Sequence, residues 1–235
     1  MKLGQHKHRK IFGFIHTATF GNWREILDEQ LFKIKQSGLY DQTQRITIGK
    51  LGDQDLSLND PKIQIVSNPD VAVAEGFTLS MLQRMCREKP ESFVWYIHTK
   101  GISRSPEEQG PVKHWRRAME HFLIYRHEDC ITALENHDIA GLFWWPYTYK
   151  EHIGPHFSGN FWWATSYYIN TLDEVMSWAE NNFPLQPEKR SRYEFWIGSN
   201  PAAKAKVLHE EPYEEGGPWL YDYELKFESY GKYLL

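Results

Sequence analysis

Short apolar runs typical of β-strands alternate with amphipathic helical patterns along most of this chain. The β-type runs lie at residues 11–15, 45–49, 63–67, 93–97, 139–145, 157–163 and 206–209. The helical patterns lie between Asn22 and Gly38 and at residues 73–88, 112–136, 167–181 and 192–200. Repeated strand–helix–strand alternation is typical of a mostly parallel sheet with helices on both faces. We therefore predict an α/β fold with a mostly parallel central sheet, in a single domain over residues 1–235.

The composition narrows the possible function classes. A chain of 235 residues with 41% hydrophobic residues is long enough and apolar enough to fold around its own core. The net charge of −4 argues against nucleic acid as a partner, because such proteins attract the phosphate backbone with excess positive charge. The aromatic content of 15% mildly favours contact with carbohydrate, although aromatic side chains are more often part of a core.

The ends of the chain and its cysteines bear on its location. We predict a flexible basic arm at residues 1–10 and an irregular aromatic tail at residues 210–235. The apolar run 11–15 is too short for a signal peptide, and no stretch reaches the roughly 18 apolar residues that span a bilayer. Cys86 and Cys130 lack metal-ligand spacing, so we expect two reduced, packed thiols. These features predict a cytoplasmic protein without a transmembrane segment.

Two of the predicted strands end in polar side chains. His16 and Thr17 follow the first strand, and the segment His-Thr-Lys-Gly at 98–101 follows the apolar run that precedes it. In open α/β sheets, ligands bind outside the carboxyl ends of the strands. Lys100 is suited to phosphate, and His98 can donate to an anion or coordinate a metal. The alternative is that His98 only caps its strand and Lys100 is solvated.

Four further places along the chain carry candidate ligand-binding or catalytic groups. Arg116, beside Arg117 at the start of a predicted helix, could clamp a diphosphate or face solvent. The notch Ser-Gly-Asn at 158–160 precedes two tryptophans and could hold sugar hydroxyls or form a tight turn. Glu194 begins a predicted helix, where it could take a proton from an attacking hydroxyl or only offset the helix dipole. His209 ends the last predicted strand and could bind a metal or be surface.

These segments, in this order, resemble an uncharacterised group of glycosyltransferase-like proteins. The specific parts are Tyr-Ile-His-Thr-Lys-Gly at 96–101 and Ser-Gly-Asn-Phe-Trp-Trp-Ala at 158–164, followed by the helix that carries Glu194. The resemblance implies a GT-A type nucleotide-diphospho-sugar transferase fold, which is Rossmann-type, over residues 14–209. More distantly, the layout is similar to the glycogenin-like transferases, whose late metal-binding histidine would correspond to His209.

The chain departs from the glycogenin-like pattern at one point that matters for mechanism. Where those transferases carry a metal-binding Asp-x-Asp, this chain has His98 and Lys100. Two carboxylates hold a divalent cation that neutralises the diphosphate, whereas a lysine repels that cation and can neutralise phosphate directly. The resemblance therefore implies either a metal-independent enzyme or a protein that has lost catalysis. A manganese or magnesium cofactor stays open, with His209 as its candidate ligand.

The sequence thus predicts a glycosyltransferase that moves a sugar from a nucleotide-diphospho-sugar donor to a hydroxyl of a glycan or glycoconjugate acceptor. Glu194 is the predicted catalytic base. The predicted donor-binding residues are His16, Thr17, His98, Thr99, Lys100, Arg116, Ser158 and Asn160. The alternative is a non-catalytic protein that binds carbohydrate or nucleotide-sugar on the same fold. A phosphate-handling hydrolase is disfavoured, because no clear nucleophile or metal-carboxylate cluster is evident.

Overall fold

The computed structural model of the chain describes residues 9–102, 106–145, 154–183 and 190–208. The predicted tail at 210–235, the metal candidate His209 and most of the predicted basic arm lie outside these ranges.

A seven-stranded sheet forms the centre of the molecule, with the strand order β3-β2-β1-β4-β8-β5-β9. The strands are Ile11–Ala18 (β1), Thr43–Leu51 (β2), Ile63–Asn68 (β3), Phe93–His98 (β4), Ile139–Gly141 (β5), Trp144–Trp145 (β6), His156–Phe157 (β7), Trp162–Thr165 (β8) and Ala205–Val207 (β9). Neighbouring strands pair in parallel except at β8, which runs antiparallel to both β4 and β5. β6 and β7 pair with each other in a separate small hairpin.

Helices cover both faces of this sheet. The helices are Trp23–Gln36 (α1), Leu39–Gln42 (α2), Gly76–Glu88 (α3), Pro106–Glu120 (α4), His127–Ala133 (α5), Ser166–Ile169 (α6) and Val175–Asn182 (α7). A π-helix at His121–Tyr125 joins α4 to α5, and 3₁₀ helices span Val71–Val73 and Arg190–Gly198. Alternate residues of β4 enter different cores, since successive side chains of a strand point to opposite faces. Trp95 belongs to the core that contains residues of α1 and α4, whereas Tyr96 belongs to the core that contains residues of α3, α6 and α7.

The predicted fold class is confirmed, because the sheet is mostly parallel and both of its faces are covered. The predicted pair of reduced, packed thiols is also confirmed, since Cys86 and Cys130 are free and buried. Burial raises the pKa of the Cys86 thiol to about 12, so this thiol stays protonated and unreactive at neutral pH. No helix in the described ranges is both long enough and apolar enough to cross a bilayer.

Several element boundaries differ from those that the sequence predicts. The first predicted helix begins at Trp23, and Asn22 before it makes no capping hydrogen bond with its side chain. The predicted strand 139–145 is divided at Phe143, whose φ is 55°. The predicted helix 112–136 begins earlier, at Pro106, and is interrupted by the π-helix. The predicted helix 73–88 starts only at Gly76, and this shift leaves Glu75 just ahead of α3.

Candidate functional site

A cavity of about 290 Å³ opens at the carboxyl ends of β1, β2 and β4. This is the edge of the sheet at which ligands bind in open α/β folds. The cavity combines charged and polar side chains with an apolar wall. Its lining residues are His16, Ala18, Phe20, Leu51, Val71, Ala74, Glu75, His98, Thr99, Lys100, Gly101, Ile102, Val112 and Glu194. Five of the predicted site residues therefore meet here, namely His16, His98, Thr99, Lys100 and Glu194.

The first strand contributes one of its two predicted residues to this cavity. His16 lines it, and its Nδ1 lies 2.8 Å from Oγ1 of Thr78 on α3. Thr17 points the other way, because side chains alternate along a strand. Its hydroxyl is fully buried and lies 3.0 Å from the hydroxyl of Thr99. Thr17 thus links β1 to the residue that follows β4, and its contact with the donor stays a prediction.

 His98 is the last residue of β4, and Lys100 lies just beyond it, where the apolar strand gives way to polar side chains. Nε2 of His98 donates to the carbonyl of Gly159 at 2.9 Å, and its ring packs edge-on against Phe161. The ammonium of Lys100 lies 3.7 Å from the centre of the Trp115 ring, so a cation–π contact holds the positive charge beside the cavity. Gly101 follows with φ of 101°, a conformation that glycine adopts without strain.

A buried network of charges lies behind this segment and holds its backbone. Arg116 donates to the carbonyl of Lys100 at 2.9 Å, and Gln30 donates to the carbonyl of His98 at 3.0 Å. Arg116 also pairs with Glu29 at 3.1 Å and with Glu120 at 3.3 Å. The predicted diphosphate clamp at Arg116 needs these bonds to break, because its guanidinium is buried and faces carboxylates. Arg116 thus positions the end of β4, and its contact with a diphosphate stays a prediction.

The charge network gives a prediction about acid stability. Burial favours a raised pKa for Glu29, but the hydrogen bond and charge of Lys33, together with Arg116 and Arg117, outweigh it and lower the pKa below 4.5. A carboxyl group whose pKa is lower in the folded state stabilises the fold above its unfolded pKa, and this stability is lost as the pH falls through the folded pKa. The wild type should therefore lose stability below pH 4.5 more steeply than Glu29→Gln. Urea denaturation at a series of pH values checks this, and parallel curves for both proteins would contradict it.

Glu75 is a cavity residue that the sequence reasoning missed. One of its carboxylate oxygens, Oε2, accepts hydrogen bonds from the Tyr96 hydroxyl and from Nδ2 of Asn160, both at 2.7 Å. Oδ1 of Asn160 in turn accepts from the indole of Trp162 at 2.8 Å. Burial, followed by the charge of Glu75, raises the pKa of Tyr96 well above 10, so the phenol keeps the proton that it donates.

The two residues of the predicted sugar-binding notch do not line the cavity. Asn160 is fully buried and has φ of 54°. Its side chain is hydrogen-bonded to both Glu75 and Trp162. The backbone N–H of Ser158 donates to the carbonyl of Phe143 at 3.0 Å, which links the notch to the segment between β5 and β6. The notch is a tight turn whose asparagine supports a carboxylate in the cavity, and the binding of sugar hydroxyls by Ser158 and Asn160 stays a prediction.

Glu194 enters the cavity from the 3₁₀ helix at Arg190–Gly198. Its neighbours Tyr193 and Phe195 are buried, while Glu194 itself is partly exposed. The charge of Glu194 contributes to the raised pKa of Tyr96, after burial and Glu75, which places both carboxylates within electrostatic range of one hydroxyl. The cavity therefore contains two acidic side chains supplied by separate elements.

The residues at the end of β4 do not suit a divalent cation. Nε2 of His98 is bonded to a carbonyl, and the charge of Lys100 would repel a metal ion. Within the described ranges, no three His, Cys, Asp or Glu side chains converge as metal ligands do. His209, the remaining metal candidate, lies outside those ranges. We therefore derive no chemical step through a metal.

A signal for Glu75 was present in the sequence. The strand at 63–67 also ends at the ligand-binding edge, and the rule applied to the first and fourth strands applies equally to this one. Glu75, followed by Gly76, lies a short way beyond the end of this strand. Placing the helix start at residue 73 hid this residue inside a helix, and its bonds to Tyr96 and Asn160 join distant parts of the chain.

Comparisons with known proteins give a family and a weak structural likeness. A family model described as "Domain of unknown function (DUF8361)" matches residues 14–217. No curated protein matches the sequence. The crystal structure of 4-diphosphocytidyl-2C-methyl-D-erythritol synthase is 11% identical, with 72% of this chain and 83% of that chain covered, at a TM-score of 0.39. The 2-C-methyl-D-erythritol 4-phosphate cytidylyltransferase of Francisella tularensis is 12% identical, with 95% and 99% covered, at a TM-score of 0.36. At these TM-scores the likeness carries no conclusion about function.

Proposed function

This chain belongs to the family described as "Domain of unknown function (DUF8361)", and we propose that it is a glycosyltransferase that uses a nucleotide-diphospho-sugar donor. The acceptor is a hydroxyl of a glycan or glycoconjugate. The observation that carries the proposal is that one cavity brings the polar end of β4 together with the carboxylates of Glu75 and Glu194. Cations suit a diphosphate, and carboxylates suit hydroxyl groups, so one cavity offers matching chemistry for both halves of such a donor.

The donor diphosphate is assigned to the end of β4. The ammonium of Lys100 supplies positive charge there, and its backbone is fixed by Arg116, so the charge is positioned before the ligand arrives. His98 adds an imidazole at the same rim. As the bond between the sugar and the diphosphate breaks, negative charge grows on the leaving phosphate. A fixed cation stabilises that charge more than it stabilises the ground state, which is the condition for catalysis.

The nucleoside is assigned to the apolar part of the same cavity. Its wall is formed by side chains at the ends of β1 and β2, by Phe20 just beyond β1, and by residues that follow β4 in the chain. The apolar lining residues there are Ala18, Phe20, Leu51, Ile102 and Val112. Ligand pockets are mostly apolar with a few placed polar groups, and a flat base suits such a wall. His16 lines the same cavity from β1, the strand that lies between β2 and β4 in the sheet.

Glu194 is the proposed catalytic base. In the transfer step, its carboxylate takes the proton of the acceptor hydroxyl while the hydroxyl oxygen forms a bond to the anomeric carbon of the sugar. The bond from that carbon to the diphosphate breaks, and the electron pair leaves with the nucleoside diphosphate. A partly exposed carboxylate in the cavity is accessible to an acceptor that arrives from solvent.

Direct binding tests the proposal. We would titrate the protein with the diphosphates of uridine, guanosine and thymidine and with their diphospho-sugars, each with manganese and with chelator. The proposal predicts saturable binding of at least one diphospho-sugar. Absence of binding to every nucleotide under both conditions would overturn it.

The variant Lys100→Met tests the assignment of the diphosphate. Methionine keeps an apolar stem against Trp115 but removes the charge. A hydrogen bond to a charged group contributes about 1.5–3 kcal/mol, so the Kd for the preferred nucleoside diphosphate should rise about 10- to 100-fold. Calorimetric titration measures this, with Lys89→Met as the control, because Lys89 is exposed and precedes the opposite end of β4. An unchanged Kd in Lys100→Met would contradict the assignment.

A further inference from the structure

The carboxylate of Glu75 is partly exposed, yet hydrogen bonds from two buried side chains fix its position. Its oxygen Oε2 accepts two hydrogen bonds of 2.7 Å, from Tyr96 on β4 and from Asn160 in the turn before β8. Both donors are fully buried, as is Trp162, which donates to Asn160. Burying polar groups costs free energy unless they are paired, and a fully paired network fixes one orientation. Three buried side chains thus serve to orient one carboxylate at the cavity wall.

The backbone around Glu75 is unusual as well. Ala74, directly before it, has φ of 46° and ψ of −147°, a region that non-glycine residues rarely occupy. Asn160, which donates to it, also has positive φ, at 54°. Such conformations cost free energy and tend to occur at functional sites. Both lie next to the same carboxylate, and Ala74 also lines the cavity.

The second oxygen, Oε1, determines which ligand Glu75 can take. No hydrogen bond to this atom is found within the part of the chain that the structure describes, and Glu75 lines the cavity. An ionised carboxylate only accepts hydrogen bonds. Its partner must therefore donate, as a sugar hydroxyl does, whereas the oxygens of a diphosphate accept and carry the same charge.

We propose that Glu75 binds a hydroxyl of the transferred sugar and is a second functional carboxylate of the site. This inference rests on the proposed function. The position of the carboxylate favours the transferred sugar over the ribose, because Tyr96 and Asn160 anchor it to β4 and to the turn before β8. The apolar wall proposed for the nucleoside includes Leu51 of β2, which lies two strands away from β4 in the sheet. In this arrangement Glu75 orients the sugar and Glu194 takes the proton.

The variant Glu75→Gln tests the inference with two ligands. The amide oxygen can still accept from Tyr96 and Asn160, while the acceptor at Oε1 becomes an N–H donor. We expect the Kd for the preferred nucleotide-diphospho-sugar to rise about 10-fold or more, and the Kd for the matching nucleoside diphosphate to change less than about 2-fold. Glu88→Gln is the control, because Glu88 is exposed at the other end of α3.

A second variant, Tyr96→Phe, removes one of the two donors to Oε2 and leaves Glu75 in place. We expect a smaller loss of affinity than in Glu75→Gln, again confined to the diphospho-sugar. Equal effects of Glu75→Gln on both ligands, or none on either, would overturn the inference while leaving the proposed function intact. Failure of the wild type to bind any nucleotide would instead overturn the proposed function, and this inference with it.

Discussion

Replacing Glu194 with Gln should lower the rate of sugar transfer about 100- to 10,000-fold, which is the usual contribution of a positioned general base. Glutamine has nearly the same shape but cannot take the proton of the acceptor hydroxyl. The Kd for the donor should change little, because the diphosphate and the nucleoside are assigned to other residues of the cavity. The loss should therefore fall on kcat, since the interaction removed is made mainly in the transition state.

The measurement is release of nucleoside diphosphate with the preferred donor, with and without acceptor, together with a donor titration of each variant. Glu180→Gln is the matched control, because Glu180 is exposed on α7. Full activity in Glu194→Gln would remove this residue from the mechanism. Donor binding without turnover by the wild type, across a panel of acceptors, would favour the non-catalytic binding protein over the enzyme.

Replacing Glu120 with Ala should lower the free energy of unfolding by about 3–5 kcal/mol, the usual effect of removing one partner from a buried ion pair. The carboxylate of Glu120 is fully buried and lies 2.6 Å from the ammonium of Lys33 and 3.3 Å from the guanidinium of Arg116. It also accepts a hydrogen bond of 3.0 Å from Gln30. Without this carboxylate, the cations of Lys33 and Arg116 have less negative charge nearby to offset the cost of their removal from water.

Urea denaturation at neutral pH measures this loss, and the exposed pair Arg24–Asp28 provides the control. Asp28 lies 3.0 Å from Arg24 on α1, and both side chains are about half exposed. Exposed pairs contribute less than about 1 kcal/mol, so Asp28→Ala should be nearly neutral. Similar losses in Glu120→Ala and Asp28→Ala would show that the buried network does not stabilise the fold.

The Glu120 variant also bears on the site, because the same network holds the end of β4. Gln30 contacts both Glu120 and the carbonyl of His98, and Arg116 contacts both Glu120 and the carbonyl of Lys100. Loss of the buried carboxylate frees these two side chains to move. Donor affinity should therefore fall in Glu120→Ala at a temperature at which the protein is still folded.

The fold was largely predictable because hydrophobic periodicity is local. The apolar run at residues 93–97 predicts a strand buried on both faces, and β4 is such a strand, with its side chains divided between two cores. The positive φ of Phe143, which divides one predicted strand, was not predictable in this way, because an aromatic residue carries no turn signal. Boundaries depend on tertiary contacts that periodicity does not record.

The candidate site was predictable only where residues follow a strand directly. His16, His98 and Lys100 were found because the carboxyl ends of parallel strands meet at one edge of the sheet. The ion pair of Arg116 with Glu29 was not predictable, because Glu29 lies on α1 and is remote in sequence, whereas Glu120 is only one helical turn away on α4. The hydrogen bond from Asn160 to Glu75 was not predictable for the same reason, since the two residues are remote in sequence.

A crystal structure of the protein with its preferred nucleotide-diphospho-sugar is the most direct test of the proposed function. We predict that the diphosphate lies beside Lys100 and His98, with the base against the apolar wall and a sugar hydroxyl within hydrogen-bond distance of Glu75. A nucleotide bound elsewhere on the protein, or one whose diphosphate does not contact the end of β4, would contradict the assignment of this cavity as the donor site.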